Sequence, residues 1–418
     1  MASAPRRSAF RFHLSNACAL LLLSGLTVFL TSCGNFFSCE GKSDCPCVAG
    51  STSSTTSTPT STVTTTVTTT CTSTTSTSTT SSSTDFGYIS NDVTSANNLD
   101  GYAISSGTLT AITGSPFSFG YSPSALAVNP SNTFLYAATD SVLGAGYLYG
   151  YSIESGGTLS ILDSGTPLVS ESVSSLAISP DGDWLFCLDA DGTTLEEYSI
   201  NISTGALTFI NTYTVSGAAN GIVTPTQVTV APSGDFVVAA LGTGGVDTFT
   251  FDTQTGIATP STLIQPATSA SGIFGVAVDE NNNIYCAGTA GLQVFSTTVE
   301  GVPTLANTYS TGNGAHSVAI NPDYTYVYVG NQTDGTISAF TIGNDAALTA
   351  VTGSPFTAPP MVSALAVDNT GGYLVAAGYS ATNGLQLYTI ESGGLLTPTA
   401  SEGTGTLTEI PAVLALSQ

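Results

Sequence analysis

His316 is the side chain whose type is best suited to acid–base chemistry, because an imidazole titrates close to neutral pH. The chain has two histidines, and the other, His13, lies in a short N-terminal leader. His316 could act as a general base, or it could form an ordinary hydrogen bond within its loop. No Gly-x-Ser-x-Gly sequence is present, so a Ser-His-Asp triad would have to be built around His316 alone. His316 is therefore the candidate catalytic residue.

Two short runs of aspartates resemble fragments of calcium-binding loops. They are Asp181-Gly182-Asp183 and Asp189-Ala190-Asp191-Gly192. Neither run has the full ligand spacing or the closing Glu of a calcium loop, and ordinary turns also favour Asp and Gly. We therefore predict no metal and no cofactor, with Ca²⁺ binding as the alternative.

The β units that must position these residues are recognised from a short apolar phrase of sequence that recurs seven times. Its copies start 42 to 52 residues apart, a period typical of arrays of identical β units. The copies are LAVNP at Leu126–Pro130, LAISP at Leu176–Pro180, VTVAP at Val228–Pro232, VAVDE at Val276–Glu280, VAINP at Val318–Pro322, LAVDN at Leu365–Asn369 and LALSQ at Leu414–Gln418.

Each repeat unit is predicted to contain four strands. In the unit that holds His316, the runs are His316–Ile320, Tyr324–Asn331, Thr336–Ile342 and Ala347–Gly353. Alternating or β-branched runs between Gly, Asn, Asp and Pro clusters are typical of strands and turns. No segment after residue 85 shows a capped helical stripe. The fold class is therefore all-β.

The two ends of the repeat region predict how the array closes. FGYISND (Phe86–Asp92) matches the second strand of a unit, and the missing first strand is found in PAVLALSQ (Pro411–Gln418). If the last strand completes the first sheet, no edge is left exposed. We predict a monomeric seven-bladed β-propeller over residues 85–418, closed by the C-terminal strand.

In such a ring, the loops before the first strands and after the second strands meet at one end of the central channel. The sequence places an acidic, Asn- and Tyr-bearing surface there, which would suit a cation, a sugar or a basic protein partner; the alternative is a solvated rim. The candidate residues are Asp92, Asp140, Glu171, Asp191, Gln227, His316, Asn331, Asp334 and Tyr379.

The repeat resembles a known family. Val318–Phe340 is similar to the YVTN-type repeat, and residues 85–418 resemble the propeller-fold lactonase superfamily that includes 6-phosphogluconolactonases. The pieces Ser152–Leu159, Thr389–Leu396 and GSPF at Gly114 and Gly353 belong to the same pattern. The resemblance implies a seven-bladed fold and, for the lactonases, His, Glu and Arg at the central face.

The functional interpretation rests on where this chain departs from that pattern. It has His316 but no Arg after Arg11, and Asn331-Gln332 and Asn91-Asp92 stand where lactonases often have Asn-Glu. We therefore interpret the propeller as a binding module without catalysis. The alternatives are a lactone hydrolase and a structural spacer of the cell envelope.

Charge excludes several ligand classes. No Lys or Arg follows Lys42, whereas all Asp and Glu except Glu40 and Asp44 follow residue 84. Nucleic acid binding requires cations that replace counterions, so it is excluded. Phosphorylated and carboxylated ligands lack their usual partners. Uncompensated carboxylates repel one another at neutral pH, so one hypothesis is that the protein works in acid, and the alternative is that it binds counter-ions or Ca²⁺.

The N-terminus predicts export and a lipid anchor. Arg6, Arg7 and Arg11 precede the apolar run Ala17–Leu30, which is short for a transmembrane span. The Leu-Thr-Ser-Cys-Gly sequence that ends at Gly34 resembles a bacterial lipobox, so residues 1–32 are predicted to be a signal peptide and Cys33 the lipidated residue. The protein would then be anchored in the cell envelope, in the outer membrane of a diderm cell.

Residues 33–84 are predicted to form a disordered tether. Ser51–Thr84 is almost entirely Ser and Thr, which cannot bury enough apolar surface to fold. A disulfide is expected among Cys39, Cys45 and Cys47, with a zinc site as the alternative and the pairing of Cys71 open. Cys18 lies in the leader, whereas Cys187 and Cys286 fall in second strands and are predicted to be buried core residues.

Overall fold

The computed structural model describes residues 84–91, 98–118, 121, 123–139, 146–217, 222–265, 271–297, 302–404 and 413–417. The predicted signal peptide, the lipidation site Cys33, the tether and its cysteines lie outside these residues, as do Asp92 and Asp140. Those interpretations stay predictions. Within the described residues no helix is long and apolar enough to cross a membrane.

The described residues form seven antiparallel sheets, which are the blades of the propeller. Blade 1 contains β1 (Asp85–Asn91), β2 (Asn98–Ser105), β3 (Thr108–Ala111), β4 (Phe117–Ser118) and, from the end of the chain, β30 (Leu414–Leu416). Blade 2 contains β5 (Ala125–Val128), β6 (Phe134–Ala138), β7 (Leu148–Ile153) and β8 (Leu159–Ile161). Blade 3 contains β9 (Val173–Ile178), β10 (Trp184–Asp189), β11 (Thr194–Ile200) and β12 (Leu207–Thr214).

The other four blades repeat this order. Blade 4 contains β13 (Gln227–Val230), β14 (Phe236–Ala240), β15 (Val246–Asp252) and β16 (Ile257–Ile264). Blade 5 contains β17 (Ile273–Val278), β18 (Ile284–Gly288), β19 (Gly291–Thr297) and β20 (Pro303–Tyr309). Blade 6 contains β21 (Ala315–Ile320), β22 (Tyr326–Asn331), β23 (Thr336–Ile342), β24 (Leu348–Ala350) and β25 (Phe356–Thr357). Blade 7 contains β26 (Ala364–Val367), β27 (Tyr373–Ala377), β28 (Leu385–Ile390) and β29 (Leu396–Glu402).

The predicted seven-bladed all-β fold is confirmed. The only helical segments among the described residues are two 3-10 turns, Asp163–Gly165 and Asn344–Ala346. The second strands are mostly buried, and β6, β14 and β18 are buried along their whole length, because blades pack against both of their faces. Cys187 and Cys286 lie in this buried layer, as expected.

In four of the seven copies, the recurring phrase has an Asn or Asp whose side chain forms the turn before the second strand. Asn321 Oδ1 accepts hydrogen bonds from the backbone N–H groups of Thr325 (2.9 Å) and Tyr326 (2.7 Å). Inside this turn Tyr324 has a positive φ of 53°. The second strand therefore begins at Tyr326, two residues later than the sequence pattern predicts.

The C-terminal strand closes the ring. β30 pairs antiparallel with β1, with Gly87 opposite Leu416 and Ile89 opposite Leu414. The Phe86 N–H donates to Ser417 Oγ (2.7 Å), and the Ser417 N–H donates to the Phe86 carbonyl (2.8 Å). The predicted closure of the first sheet by the end of the chain is therefore confirmed.

Candidate functional site

Blades 3, 5 and 6 each carry a β-bulge at the start of the first strand, at the channel end of the propeller. The extra residues are Ser174 in β9, Phe274 in β17 and His316 in β21. In each case the residues on either side pair with the second strand, and the extra residue has no cross-strand partner. A bulge bends the strand and re-aims a side chain. Sequence periodicity places His316 before the strand, but it does not predict the bulge.

The His316 ring is held by two neighbouring blades. It stacks on the Phe274 ring of blade 5, with centroids 5.6 Å apart and planes only 6° from parallel. It also hydrogen-bonds to the backbone of Ser363, just before β26 of blade 7. The imidazole therefore bridges three successive first strands, which fixes its orientation.

Polar atoms without partners cluster around this ring. Among the described residues, five buried side-chain N or O atoms have no hydrogen-bond partner, and three of them are His316 Nδ1, Ser317 Oγ and Asn331 Oδ1. Ala315 pairs with Asn331 and Ser317 with Gly330, so all three lie at one end of blade 6. Buried polar groups usually bind water or a ligand when the protein offers them no partner.

Ser317 differs from its counterparts in other blades. Ser175 Oγ accepts a hydrogen bond from the Val228 N–H of the next blade (3.0 Å), and Gln227 Oε1 accepts one from the Val276 N–H (3.0 Å). These hydrogen bonds link one first strand to the first strand of the next blade. Ser317 Oγ makes no such bond and is buried without a partner among the described residues.

Burial lowers the pKa of His316, and the hydrogen bond to Ser363 offsets part of this effect. The ring is therefore neutral at pH 7. A neutral imidazole whose Nδ1 has no protein partner can accept a proton from water, which is the role of a general base.

Asp334 supports the loop that leads to His316, and Asn331 binds the neighbouring strand β23. Asn331 Nδ2 donates to the hydroxyls of Thr336 (3.0 Å) and Ser338 (2.9 Å). The exposed Asp334 carboxylate accepts from Asn313 N–H (2.7 Å) and Nδ2 (3.1 Å), and these bonds lower its pKa. Two of the predicted surface residues thus have positioning contacts.

The other predicted residues make contacts elsewhere in the propeller. Gln227 binds the next blade, and the Tyr379 N–H donates to the Pro360 carbonyl (2.9 Å). Glu171 is exposed on blade 3, where partial burial and then the nearby Glu196 and Asp189 raise its pKa. The structure therefore narrows the candidate site to the surroundings of His316 in blades 5 to 7.

The aspartate runs form turns. Asp181 Oδ1 accepts from the Asp183 N–H (3.1 Å), and Asp191 Oδ1 accepts from the Thr193 N–H (2.8 Å). In the part of the chain that the structure describes, no three His, Cys, Asp or Glu side chains are grouped as metal ligands. The absence of a metal nevertheless stays a prediction.

Three residues of the site were not found by sequence reasoning: Phe274, Ser317 and Ser363. A usable signal exists in the repeat, because Phe274 and Ser363 occupy the same register as His316 in the flanking copies of the phrase. Aligning that register around the ring gives Ser124, Ser174, Thr226, Phe274, His316 and Ser363, in which only two positions carry rings.

Comparison with known proteins identifies the family. The sequence matches the family described as "Lactonase, 7-bladed beta-propeller" over residues 105–406. No curated protein matches it. A putative 6-phosphogluconolactonase from Bacteroides uniformis is 16% identical, with a TM-score of 0.67 over 79% of this chain and 99% of that one. The Pseudomonas aeruginosa periplasmic gluconolactonase PpgL is 14% identical, with a TM-score of 0.64 over 80% and 99%.

This match corrects the interpretation of the propeller as a binding module without catalysis, and it favours the lactonase alternative over both that reading and the spacer. The absence of Arg is a poor argument against hydrolysis, because a lactone carbonyl is already electrophilic and an activated water can attack it. The chain also lacks an Asn-Glu pair at these positions, but it holds the His316 ring in place through Phe274 and Ser363. The family match covers most of the chain, and the protein therefore belongs to the lactonase family of seven-bladed β-propellers.

Proposed function

We propose that this protein hydrolyses a lactone at the channel end of blades 5 to 7, with His316 as the general base. The observation that carries the proposal is the bulged, neutral imidazole whose Nδ1 has no partner among the described residues. The family match supplies the reaction class.

The reaction requires one water and one base. In the proposed step, His316 Nδ1 takes a proton from water while the water oxygen bonds to the lactone carbonyl carbon. The tetrahedral intermediate then breaks the ring C–O bond, and the imidazolium returns the proton to the leaving alkoxide oxygen. The products are a hydroxy acid and the regenerated base. The Ser317 hydroxyl, from the next residue of the strand, is the proposed donor to the carbonyl oxygen.

A neutral lactone is the expected substrate. No Lys or Arg exists in this part of the chain, so a phosphate would meet carboxylates without a compensating cation. One structural neighbour is described as a putative 6-phosphogluconolactonase and another as a periplasmic gluconolactonase. Because this part of the chain has no Lys or Arg, an unphosphorylated lactone such as gluconolactone is the favoured substrate for this protein.

The test is hydrolysis of gluconolactone and 6-phosphogluconolactone by the purified protein, measured as acid release above the spontaneous rate. We expect turnover of gluconolactone with little or none of the phosphorylated compound. His316→Ala should lower kcat about a hundredfold or more, the range of a lost general base.

Ser174→Ala is the matched control, because Ser174 is the bulged residue of blade 3 and lies outside the proposed site. It should retain wild-type turnover. Equal activity of His316→Ala and wild type, with both folded, would remove His316 from the mechanism. Faster turnover of 6-phosphogluconolactone would reject the proposed substrate class.

A further inference from the structure

A cavity lies away from the His316 site, between the outer strands of blades 1 and 2. Its volume is about 440 Å³, which falls within the usual size of small-molecule pockets. Aromatic and apolar side chains form most of its wall: Pro116, Phe117, Tyr121, Tyr149, Tyr151 and Ile161. None of the residues that line it is charged.

The tyrosines combine ring faces with hydroxyl groups. The Tyr121 and Tyr149 rings are stacked, with centroids 4.9 Å apart and planes 18° from parallel. The hydroxyls of Tyr121 and Tyr151 are 3.2 Å apart. Tyr121 and Tyr149 are both partly exposed, whereas Tyr151 is buried beneath them. The cavity thus offers an apolar platform beside polar oxygen atoms.

The repeat contains a second copy of this scaffold without the tyrosine platform. Between blades 6 and 7 the same GSPF loop is present, and Ser354 Oγ accepts from the Ala339 N–H (2.9 Å) as Ser115 Oγ does from the Gly101 N–H (3.0 Å). There Pro360 occupies the register of Tyr121, and Gln386 occupies that of Tyr149.

The two junctions also use their buried tyrosine differently. The Tyr388 hydroxyl donates to the Thr357 carbonyl (2.7 Å), and Gln386 Nε2 donates to the Ala400 carbonyl (2.7 Å), so blades 6 and 7 satisfy these groups with backbone. At blades 1 and 2, the Tyr151 hydroxyl lies beside the Tyr121 hydroxyl. The junction of blades 6 and 7 packs without tyrosines at the two other positions, so the stacked Tyr121–Tyr149 pair is particular to blades 1 and 2.

We propose that this cleft binds a neutral saccharide. The C–H faces of a sugar ring pack on aromatic rings, while its hydroxyls need donors and acceptors, and tyrosine provides both. A charged ligand would find no counter-ion, because the lining has no charged side chain and no Lys or Arg follows Lys42. The site is separate from the proposed lactonase centre and does not depend on it.

Binding can be tested with the purified protein and three neutral disaccharides: cellobiose, maltose and diacetylchitobiose. Isothermal titration should show saturable binding of at least one, with a Kd of about 1 mM or tighter. Tyr149→Ala should weaken it about tenfold, as expected for loss of one aromatic platform. Tyr149→Phe should retain most of the affinity, because it keeps the ring.

Gln386→Ala is the matched control at the equivalent position of blade 7 and should bind as wild type does. Thermal melting and lactone turnover of each variant show whether it is folded and whether the channel site is intact. No binding of any of the three disaccharides, or unchanged binding by a folded Tyr149→Ala, overturns the proposal. Retention of affinity by Tyr149→Leu would also overturn it, because general apolar docking does not require an aromatic face.

Discussion

At the scale of single residues, His316 has a pKa that suits a base in mild acid. Burial lowers its pKa below the ordinary value of 6.5, so the ring stays neutral at pH values where an exposed histidine begins to charge. If His316 is the base, kcat/KM for gluconolactone should be flat near neutral pH and fall only below pH 6.5. A pH–rate profile measures this limb.

Phe274→Ala gives the sharper measurement of the same effect. Removing the stacked ring exposes the imidazole to water, so the acid limb should move upward toward the ordinary pKa. An acid limb at or above the ordinary value in the wild type would contradict the assignment, as would a limb that Phe274→Ala leaves unchanged.

The His316 residue itself was predictable from the sequence, since it is the only His of the repeats. Its stacking partner can be found only by aligning the copies of the repeat, because an alternating pattern does not reveal the bulges that bring the two rings together.

At the scale of elements, the closing strand depends on few residues. β30 contributes three paired residues to β1, and Ser417 adds two hydrogen bonds to Phe86. Without it, the inner edge of β1 and the apolar groups beside Leu416 would be exposed, and each large apolar side chain that loses burial costs about 1.5–3 kcal/mol. Removal of residues 411–418 should lower the melting temperature by about 10 °C or more.

Ser417→Ala is the milder companion variant and should cost about 1 kcal/mol through its lost hydrogen bond. A truncated protein as stable as the full chain would contradict the role of β30.

This closure could be predicted because the repeat phrase is split between the two ends of the region. The extra strands β4 and β25 could not, since two-residue pairings carry no periodicity.

At the scale of the whole molecule, carboxylates without cations dominate the electrostatics. The chain carries a formal net charge of −24 at pH 7. Several carboxyl groups are buried: Glu197 Oε2 accepts from the Tyr213 hydroxyl (2.6 Å), and Asp247 Oδ2 accepts from the Ser216 N–H (2.7 Å). Burial raises the pKa of both Glu197 and Asp247, although their hydrogen bonds oppose the rise. Composition predicts the repulsion, but not which carboxyl groups are buried.

The clearest case joins the first and last blades. Asp85 at the start of β1 is buried, and burial, repulsion from Asp368 and a hydrogen bond with Asp368 raise its pKa to about 6 from an ordinary 3.8. A raised pKa means that the folded state binds the proton more tightly than the unfolded state. The stabilisation is complete below about pH 3.8 and is lost as the pH rises through about 6.

The propeller should therefore become more stable as the pH falls from 7.5 to 5, with a melting temperature higher by about 5 °C. Exposed Asp252 and Asp334, whose pKa values are lowered by hydrogen bonds, oppose this trend only in stronger acid. Calorimetry across this range, at constant ionic strength, measures the effect. Asp85→Asn removes the titrating group, so it should be more stable than wild type at pH 7.5 and should show a smaller gain in acid. A wild-type melting temperature that falls steadily from pH 7.5 to 5 would show that the buried carboxyl groups do not control stability.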